Sequence, residues 1–350
     1  MINTFLLYGA TGYTARLILR YARQFGLEPV LAGRNEAALR RLAEEQGLSY
    51  RVADLNDEKA LDAALTDMPV VLHCAGPFVH TALPMQRACL RMGTHYLDIT
   101  GEIAVFEQGK LLDETARQRG VMLLSGVGFD VVPTDCLARH LSDRLPDATH
   151  LELAFASIGG SVSHGTALTA AENMGGGGKI RRNGMLVTVP NAHRTLDVDF
   201  EGGKKLTCMA IPWGDVSTAW HTTGIPNIET FMAVPTAAVW AARAGNYLGG
   251  LLRNPLAKRF LQGQIRRRVT GPDERTRQTA RSLVWGRVRN AAGQTAEARL
   301  SGPEVYTLTA LAALTITQRV LNGEAQAGYQ TPAGLFGADL VLEIEGVRRS

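Results

Sequence analysis

Cysteine is scarce in this 350-residue chain: Cys74, Cys89, Cys136 and Cys208 lie far apart, and none belongs to a Cys-x-x-Cys pair. That excludes a disulfide frame and a zinc site and points to reduced thiols in a cytoplasmic protein. Long apolar runs are missing as well. The longest uncharged apolar stretches, Thr230–Ala242 and Val305–Gln318, fall short of the roughly 20 residues a bilayer span needs. The first apolar run lacks a basic leader and enters a glycine turn, so it does not read as a signal peptide. Charge of one sign is not in excess either. A net charge of +4 over this length offers no clustered basic face for nucleic acid. Fixed-period repeats and low-complexity tracts are absent, which excludes solenoids and disordered arrays. What is left is a soluble globular chain too long for one ordinary domain, so one large or two interleaved domains are expected.

The strongest local signal present is Thr4-Phe-Leu-Leu-Tyr-Gly-Ala-Thr-Gly-Tyr-Thr-Ala15. Apolar, β-prone residues run into Gly9, Gly12 and Ala15, spaced three apart. The pattern predicts a buried strand, a tight turn and the first turn of a helix, whose unpaired N–H groups and dipole favour a phosphate. From there to about residue 145, strand and helix signals alternate, as a doubly wound parallel sheet requires. Strands are expected at Pro29–Gly33, Leu48–Ala53, Pro69–Cys74, His95–Asp98 and Val121–Ser125. Helices are expected at Tyr13–Gln24, Glu36–Gln46, Asn56–Leu65, Leu83–Arg91 and Phe106–Arg119.

Near residue 146 the rhythm changes to longer alternating strands at Leu151–Ala156, Met185–Val189, Thr195–Phe200, Leu206–Ile211, Ile228–Val234, Ser282–Arg289 and Thr295–Leu300. The last two flank Asn290-Ala-Ala-Gly293, a hairpin signal. The fold class expected is therefore α/β, a doubly wound parallel sheet plus a second, inserted mixed α/β domain with a mainly antiparallel sheet. The domains would be 1–145, 146–302 for substrate or dimerisation, and a helical tail, 303–350, returning to the first.

Chemistry gathers at the carboxyl ends of the first-domain strands. Arg34 ends the second strand, about 20 residues past the glycine turn, where the residue reading the adenosine ribose belongs. An arginine cannot accept from a 2′-hydroxyl but pairs with a 2′-phosphate, so the cofactor expected is NADP and not NAD. Asp54 ends the third strand as an acceptor for adenine or as a turn residue. Cys74-Ala-Gly-Pro-Phe78 permits close approach to the nicotinamide ribose, with Cys74 itself a packed small residue. Asp98, Glu102, Asp130 and Asp135 follow strands five and six as caps or crevice acids. In the second domain, His164 and His221 are the histidines to weigh as proton donors, and Gly175–Arg182 reads as a cationic loop for an anionic group. Pro212–Asp215 and His221–Pro226 read as turns. The arginine-rich segment 253–268 reads as a subunit-contact face of a homodimer or a solvated face ahead of a peripheral membrane contact. No metal site is expected.

Taken together, Tyr8–Thr14, Leu31–Arg34, His73–Phe78, Gly93–Glu102 and Gly126–Asp135 resemble the saccharopine dehydrogenase-like NADP-binding oxidoreductases, and more closely their trans-acting enoyl reductase group. Gly165-Thr166, Ile211–Asp215, Gly224–Asn227 and Gly328–Pro332 carry the likeness beyond the first domain. The resemblance implies a Rossmann domain, an inserted domain covering the cofactor, and NADP as the usual partner. Cofactor-binding residues would be Gly9, Ala10, Thr11, Gly12, Tyr13, Thr14, Arg34, Asp54, Ala75 and Gly76. The chain departs from many relatives at Ala15, where they have glycine, and at Thr81-Ala-Leu83, where they carry a Tyr-Gly-Glu type segment. The activity expected is hydride transfer to or from a C=C bond of an enoyl or acyl compound, with His164, His221 or Asp130 as proton donor. The alternatives are an imine or amino-acid reductase of saccharopine-like type, and a non-catalytic NADP-binding or lipid-surface protein. Partners reduce to a small-molecule substrate and exclude nucleic acid.

Overall fold

A computed structural model describes residues 3–163, 165–168, 176–247, 263 and 271–350. The chain forms two compact units. One comprises Met1–Val132 and Tyr306–Leu335, the other Pro133–Val305 and Phe336–Ser350, so the two alternate along the chain and the expected simple insertion gives way to an interleaved pair.

In the first unit, six strands alternate with helices: β1 Thr4–Tyr8, α1 Tyr13–Ala22, β2 Glu28–Gly33, α2 Glu36–Gln46, β3 Tyr50–Val52, α3 Glu58–Leu65, β4 Val70–His73, α4 Phe78–Met92, β5 His95–Asp98, α5 Ile103–Leu111, α6 Asp113–Arg119 and β6 Met122–Leu124. All pairings are parallel, and the strand order is 3-2-1-4-5-6, that of a dinucleotide-binding sheet. Parallel strands covered on both faces read as continuous apolar runs. Phe5, Leu6 and Leu7 of β1 and Val70, Val71 and Leu72 of β4 are accordingly fully buried. One face of the sheet packs Leu6, Tyr8, Val71 and Tyr96 against Leu61 and Leu65 of α3 and Ala82, Met85 and Cys89 of α4.

A seventh strand, Gly328–Gln330, extends this sheet by pairing in parallel with β6. Three residues carry no periodicity, and the strand exists because β6 offers it an edge. The helix expected to begin at Leu83 begins instead at Phe78 and runs through Pro84, because its first turn is anchored from another loop, as described below. The expected helix Phe106–Arg119 is two helices, α5 and α6, meeting at Leu112.

The second unit holds a nine-stranded mixed sheet, mainly antiparallel. Its strands are β7 Ala148–Ile158, β8 Gly178–Arg182, β9 Met185–Val189, β10 Thr195–Asp199, β11 Lys205–Ala210, β12 Asn227–Ala233, β13 Arg281–Asn290, β14 Thr295–Pro303 and a terminal pair, Arg348–Arg349. The main path runs 10-11-12-7-13-14 and ends on the terminal pair, with β8 and β9 branching from β12. Among the described residues of this unit only β12 and β7 pair in parallel. Ala154, Phe231, Cys208, Leu283 and Trp285 form one core. The helix α7, Val132–Arg144, sits with this unit because a Cβ at Gly286 of β13 would lie 2.7 Å from Leu141, leaving room only for glycine. Asp215–Thr223 is a helix that takes up the end of one expected turn, Pro212–Asp215, and the start of the other, His221–Pro226. Gly214 and Gly224 bound it, and the burial of Val216 and Ala219 outweighs its poor intrinsic propensity.

Candidate functional site

The β1–α1 turn is built as the glycine spacing requires. Gly9 has a φ of +81°, and a Cβ there would lie 2.9 Å from both the Cβ and the backbone nitrogen of Ala75. Glycine is needed for the conformation and for the approach of the β4 exit. Gly12 is the N-cap of α1 in extended backbone, where a Cβ would come within 3.2 Å of the Gly9 carbonyl. Gly9 and Ala10 donate to the Ala32 carbonyl at 2.8 and 3.2 Å, and Gly12 donates to Gly9 at 2.9 Å. None of these internal bonds uses the amides of Thr11 or Thr14 at the helix mouth. Ala15 is fully buried where α1 meets the sheet. A cradle without side chains at a helix N-terminus fits a dinucleotide pyrophosphate. Tyr13 opens the helix with its ring edge-on to Tyr306 at 5.2 Å.

Arg34 is exposed immediately after β2, and Asp54 is half-buried after β3. Both lie close enough to the Tyr8 phenol to act on it. Burial first and the Asp54 charge second push that phenol up to about 12, while Arg34 pulls it down. Tyr8 donates to the Ala53 carbonyl at 2.9 Å, joining the ends of β1 and β3. Asp54 Oδ1 accepts from the backbone and side chain of Asn56, both at 2.9 Å, and is thus a turn residue. The cap of α3 is Asp57, whose carboxylate accepts from Ala60 at 3.0 Å.

Ala75 and Gly76 follow β4 directly beneath Gly9. Burial and the Asp98 charge push the Cys74 thiol well above its ordinary range, which disfavours the reactive thiolate. Asp98 is a buried knot. One oxygen accepts from Tyr96 and Ser125 hydroxyls at 2.8 and 2.9 Å, the other from Thr100 and Gly126 amides at 3.0 and 2.9 Å. Burial raises it to about 6 against these four bonds.

Glu102 reaches back to the start of α4 and accepts from the Phe78 and Val79 amides at 2.9 and 2.8 Å. This external cap begins the helix five residues before Leu83 and fills its N-terminus. Asp130, from the loop after β6, packs on the Gly101 backbone so closely that a Cβ at Gly101 would sit 2.8 Å from its carboxylate. Burial first and the Glu102 charge second raise Asp130 to about 7.

Other candidates fall elsewhere. His164 and the 253–268 segment, apart from Gly263, lie outside the described residues. His221 is half-buried near the end of the helix Asp215–Thr223 in the second unit. Asp135 also belongs to that unit and accepts from Thr222 at 2.6 Å. The cationic loop is corrected over Gly178–Arg182, which is strand β8. Arg181 is buried there, donating to the Val216 and Gly184 carbonyls at 2.6 and 2.7 Å, and Lys179 donates to Thr188 at 2.7 Å. Those bonds hold the sheet at β8, and residues 173–175 at the start of the expected loop lie outside the described residues. Sequence reasoning missed Tyr306 and Thr309, on the helix Val305–Arg319. Thr309 accepts from the Phe129 amide at 3.0 Å beside Asp130. Nothing in an apolar helix pattern marks such contacts. Among the described residues no cluster of His, Cys, Asp or Glu is set to hold a metal, and no helix is long and apolar enough to cross a membrane.

Comparison with known proteins agrees with this geometry. Residues 5–124 match the saccharopine dehydrogenase NADP binding domain. A trans-acting enoyl reductase of Mycobacterium ulcerans is 31% identical over 157 residues, covering 43% of this chain and 38% of that protein. One from Mycobacterium leprae is 30% identical over 177 residues, covering 45% and 42%. The chain thus spans less than half the length of these relatives. The apo saccharopine dehydrogenase (L-Glu forming) of Saccharomyces cerevisiae shares the fold, with a TM-score of 0.67 at 13% identity over 100% of this chain and 99% of that one. Over residues 5–124, then, the chain carries a domain of the saccharopine dehydrogenase NADP-binding type, and it resembles the saccharopine dehydrogenase-like oxidoreductases in sequence there and in fold throughout.

Proposed function

We propose that this protein is an NADP-dependent oxidoreductase that transfers hydride to or from the C=C bond of an enoyl or acyl substrate. The observation that carries the reading is the side-chain-free cradle at Gly9 and Gly12, inside the segment that matches an NADP-binding domain. The likeness to trans-acting enoyl reductases supports the substrate class. NADPH, when bound, supplies the hydride. The chain's own residues bind and orient it: the Thr11 and Thr14 amides at the pyrophosphate, Arg34 at the 2′-phosphate, and Ala75 and Gly76 beside the nicotinamide ribose.

Reducing a C=C bond also takes a proton, and Asp130 is the donor we favour. A carboxyl group raised to about 7 is half protonated at neutral pH, which suits a general acid. It follows a strand at the same sheet edge as the cradle. A substrate small enough to enter such a crevice is the only partner this reading needs, and four cysteines free of disulfides suit a cytoplasmic setting.

Purified protein is expected to oxidise NADPH when offered α,β-unsaturated thioesters. Oxidation with imines alone would move the substrate class to the amino-acid reading. Binding of NADPH with no turnover on either panel would overturn the enzyme. Asp130→Asn is expected to lower kcat by about 10²–10⁴-fold with the Kd for NADPH unchanged. The limb of the pH profile near 7 should disappear with it.

A further inference from the structure

A groove of about 620 Å³ runs between α1 and α2, lined among others by Arg16, Asn35, Arg41 and Glu45. Asn35 follows Arg34 directly and caps α2, accepting from the Ala38 amide at 3.1 Å. The groove therefore begins where the second strand ends, beside the residue expected to read the cofactor's ribose.

Arg16 and Arg41 line the groove, Arg34 and Arg40 are chain neighbours of its lining residues Asn35 and Arg41, and their partners divide the four into two kinds. Arg40 is tied to Glu36 at 2.7 Å and to the Tyr50 hydroxyl at 3.2 Å. Arg41 is tied to Glu45 at 3.0 Å. Each has a carboxylate four residues away on its own helix, the usual surface pairing. Arg16 and Arg34 have no ion pair among the described residues. Arg16 makes one hydrogen bond, from Nε to the Thr11 carbonyl at 3.3 Å. Long side chains on a helix lean toward its N-terminus, and this bond holds Arg16 folded back along α1 toward the glycine turn. Among the described residues no hydrogen bond or ion pair uses its two Nη groups.

We propose that Arg16 is the second cation of the 2′-phosphate site, acting from α1 while Arg34 acts from the end of β2. The phosphate would enter the mouth of the α1–α2 groove. Two guanidinium groups approaching from different elements suit a dianion better than one flexible side chain does. Arg41 takes no part, because Glu45 neutralises it. The inference rests on the NADP reading above and deepens it.

The test is a binding titration of the whole protein with NADPH and NADH, repeated with adenosine 2′,5′-bisphosphate and 5′-AMP, without turnover. Arg16→Gln is expected to weaken NADPH and the bisphosphate about 10–100-fold, as for a lost hydrogen-bonded charge, and to leave NADH and AMP within about 2-fold. Arg16→Lys should recover part of the discrimination, and Arg41→Gln should change neither cofactor. Equal weakening of NADPH and NADH by Arg16→Gln would make Arg16 a structural clamp on the Thr11 turn and overturn the proposal. So would a selective loss in Arg41→Gln as large as that in Arg16→Gln. If the wild-type protein itself fails to prefer NADPH, the cofactor reading falls and takes this inference with it. A wild-type preference that survives Arg16→Gln overturns the Arg16 role alone.

Discussion

Four helices, α1 to α4, begin at the carboxyl edge of the same sheet, yet their N-termini are finished in two ways. At α2, α3 and α4 a side-chain oxygen fills the mouth: Asn35 on Ala38, Asp57 on Ala60, and Glu102 on Phe78 and Val79. At α1 the N-cap is Gly12, which has no side chain to offer. Every helix N-terminus presents orphan amides and a partial positive charge. At α2, α3 and α4 the chain supplies that acceptor itself. At α1 it does not, nor does the N-cap of α5 at the same sheet edge, so an open mouth counts toward a phosphate site only together with the glycine turn that α1 alone of the five follows. Together with the glycine spacing, the difference supports the phosphate site proposed at α1.

The sharpest way to break that difference is to give α1 the cap it lacks. Gly12 has ordinary extended dihedrals, so an L-residue is tolerated there at the cost of a tight 3.2 Å contact with the Gly9 carbonyl. Gly12→Asp should place a carboxylate over the α1 amides, where it both caps and repels a pyrophosphate. NADPH affinity is expected to fall by more than about 100-fold, while stability changes by no more than about 1 kcal/mol in either direction, a few degrees in Tm. Titration and a thermal melt of the same preparation check it. If affinity and stability fell together, the turn would be a structural element and nothing more.

The comparison also shows what a sequence reveals. The α1 mouth is legible because its parts are local: an apolar run, then Gly9, Gly12 and Ala15 within seven residues. Asn35 and Asp57 are equally local, each lying three residues before the amide it serves, although the sequence pattern starts α3 at Asn56 and the structure puts the cap at Asp57. Glu102 is not legible, because its partners are Phe78 and Val79, more than twenty residues away. Without that contact the α4 sequence favours a start near Pro84, where a proline suits a first turn. The strand Gly328–Gln330 is hidden likewise, since its existence depends on the edge of β6. Position at the sheet edge nominates Asp130, but its raised pKa comes from burial and from Glu102, which only the packed structure brings near.

Glu102 therefore links the two halves of the comparison: it closes α4 and tunes the acid beside it. In Glu102→Gln, one amide of the α4 mouth loses its acceptor, at a cost of about 1–3 kcal/mol for a hydrogen bond to a charged group. The negative charge that helps hold Asp130 up also goes, so the Asp130 pKa should move down from about 7. The sign follows from linkage. With a folded pKa above the ordinary 3.8, the native state binds more protons than the unfolded one between the two values. Asp130 thus lowers stability as pH rises from about 4 to 7, and its contribution to that slope should shrink in the variant. Chemical denaturation at several pH values reads the slope, and the pH profile of turnover should shift to the acid side. An unchanged profile would remove Glu102 from the tuning of the acid.

The smallest effect is expected where a capped mouth stands nearest to the open one without belonging to it. Asp57 is exposed, caps α3 with one bond to Ala60 at 3.0 Å, and follows Asp54, the turn acid at the proposed adenosine end. Asp57→Ala removes an N-cap and a favourable charge at the helix dipole, worth about 1 kcal/mol, or a few degrees in Tm. NADPH affinity should stay within about 2-fold of wild type, because the bond lost closes a helix that needs no outside acceptor. If Asp57→Ala instead weakened NADPH as strongly as Gly12→Asp does, α3 would be part of the cofactor site. A filled helix mouth would then no longer distinguish a structural terminus from a binding one.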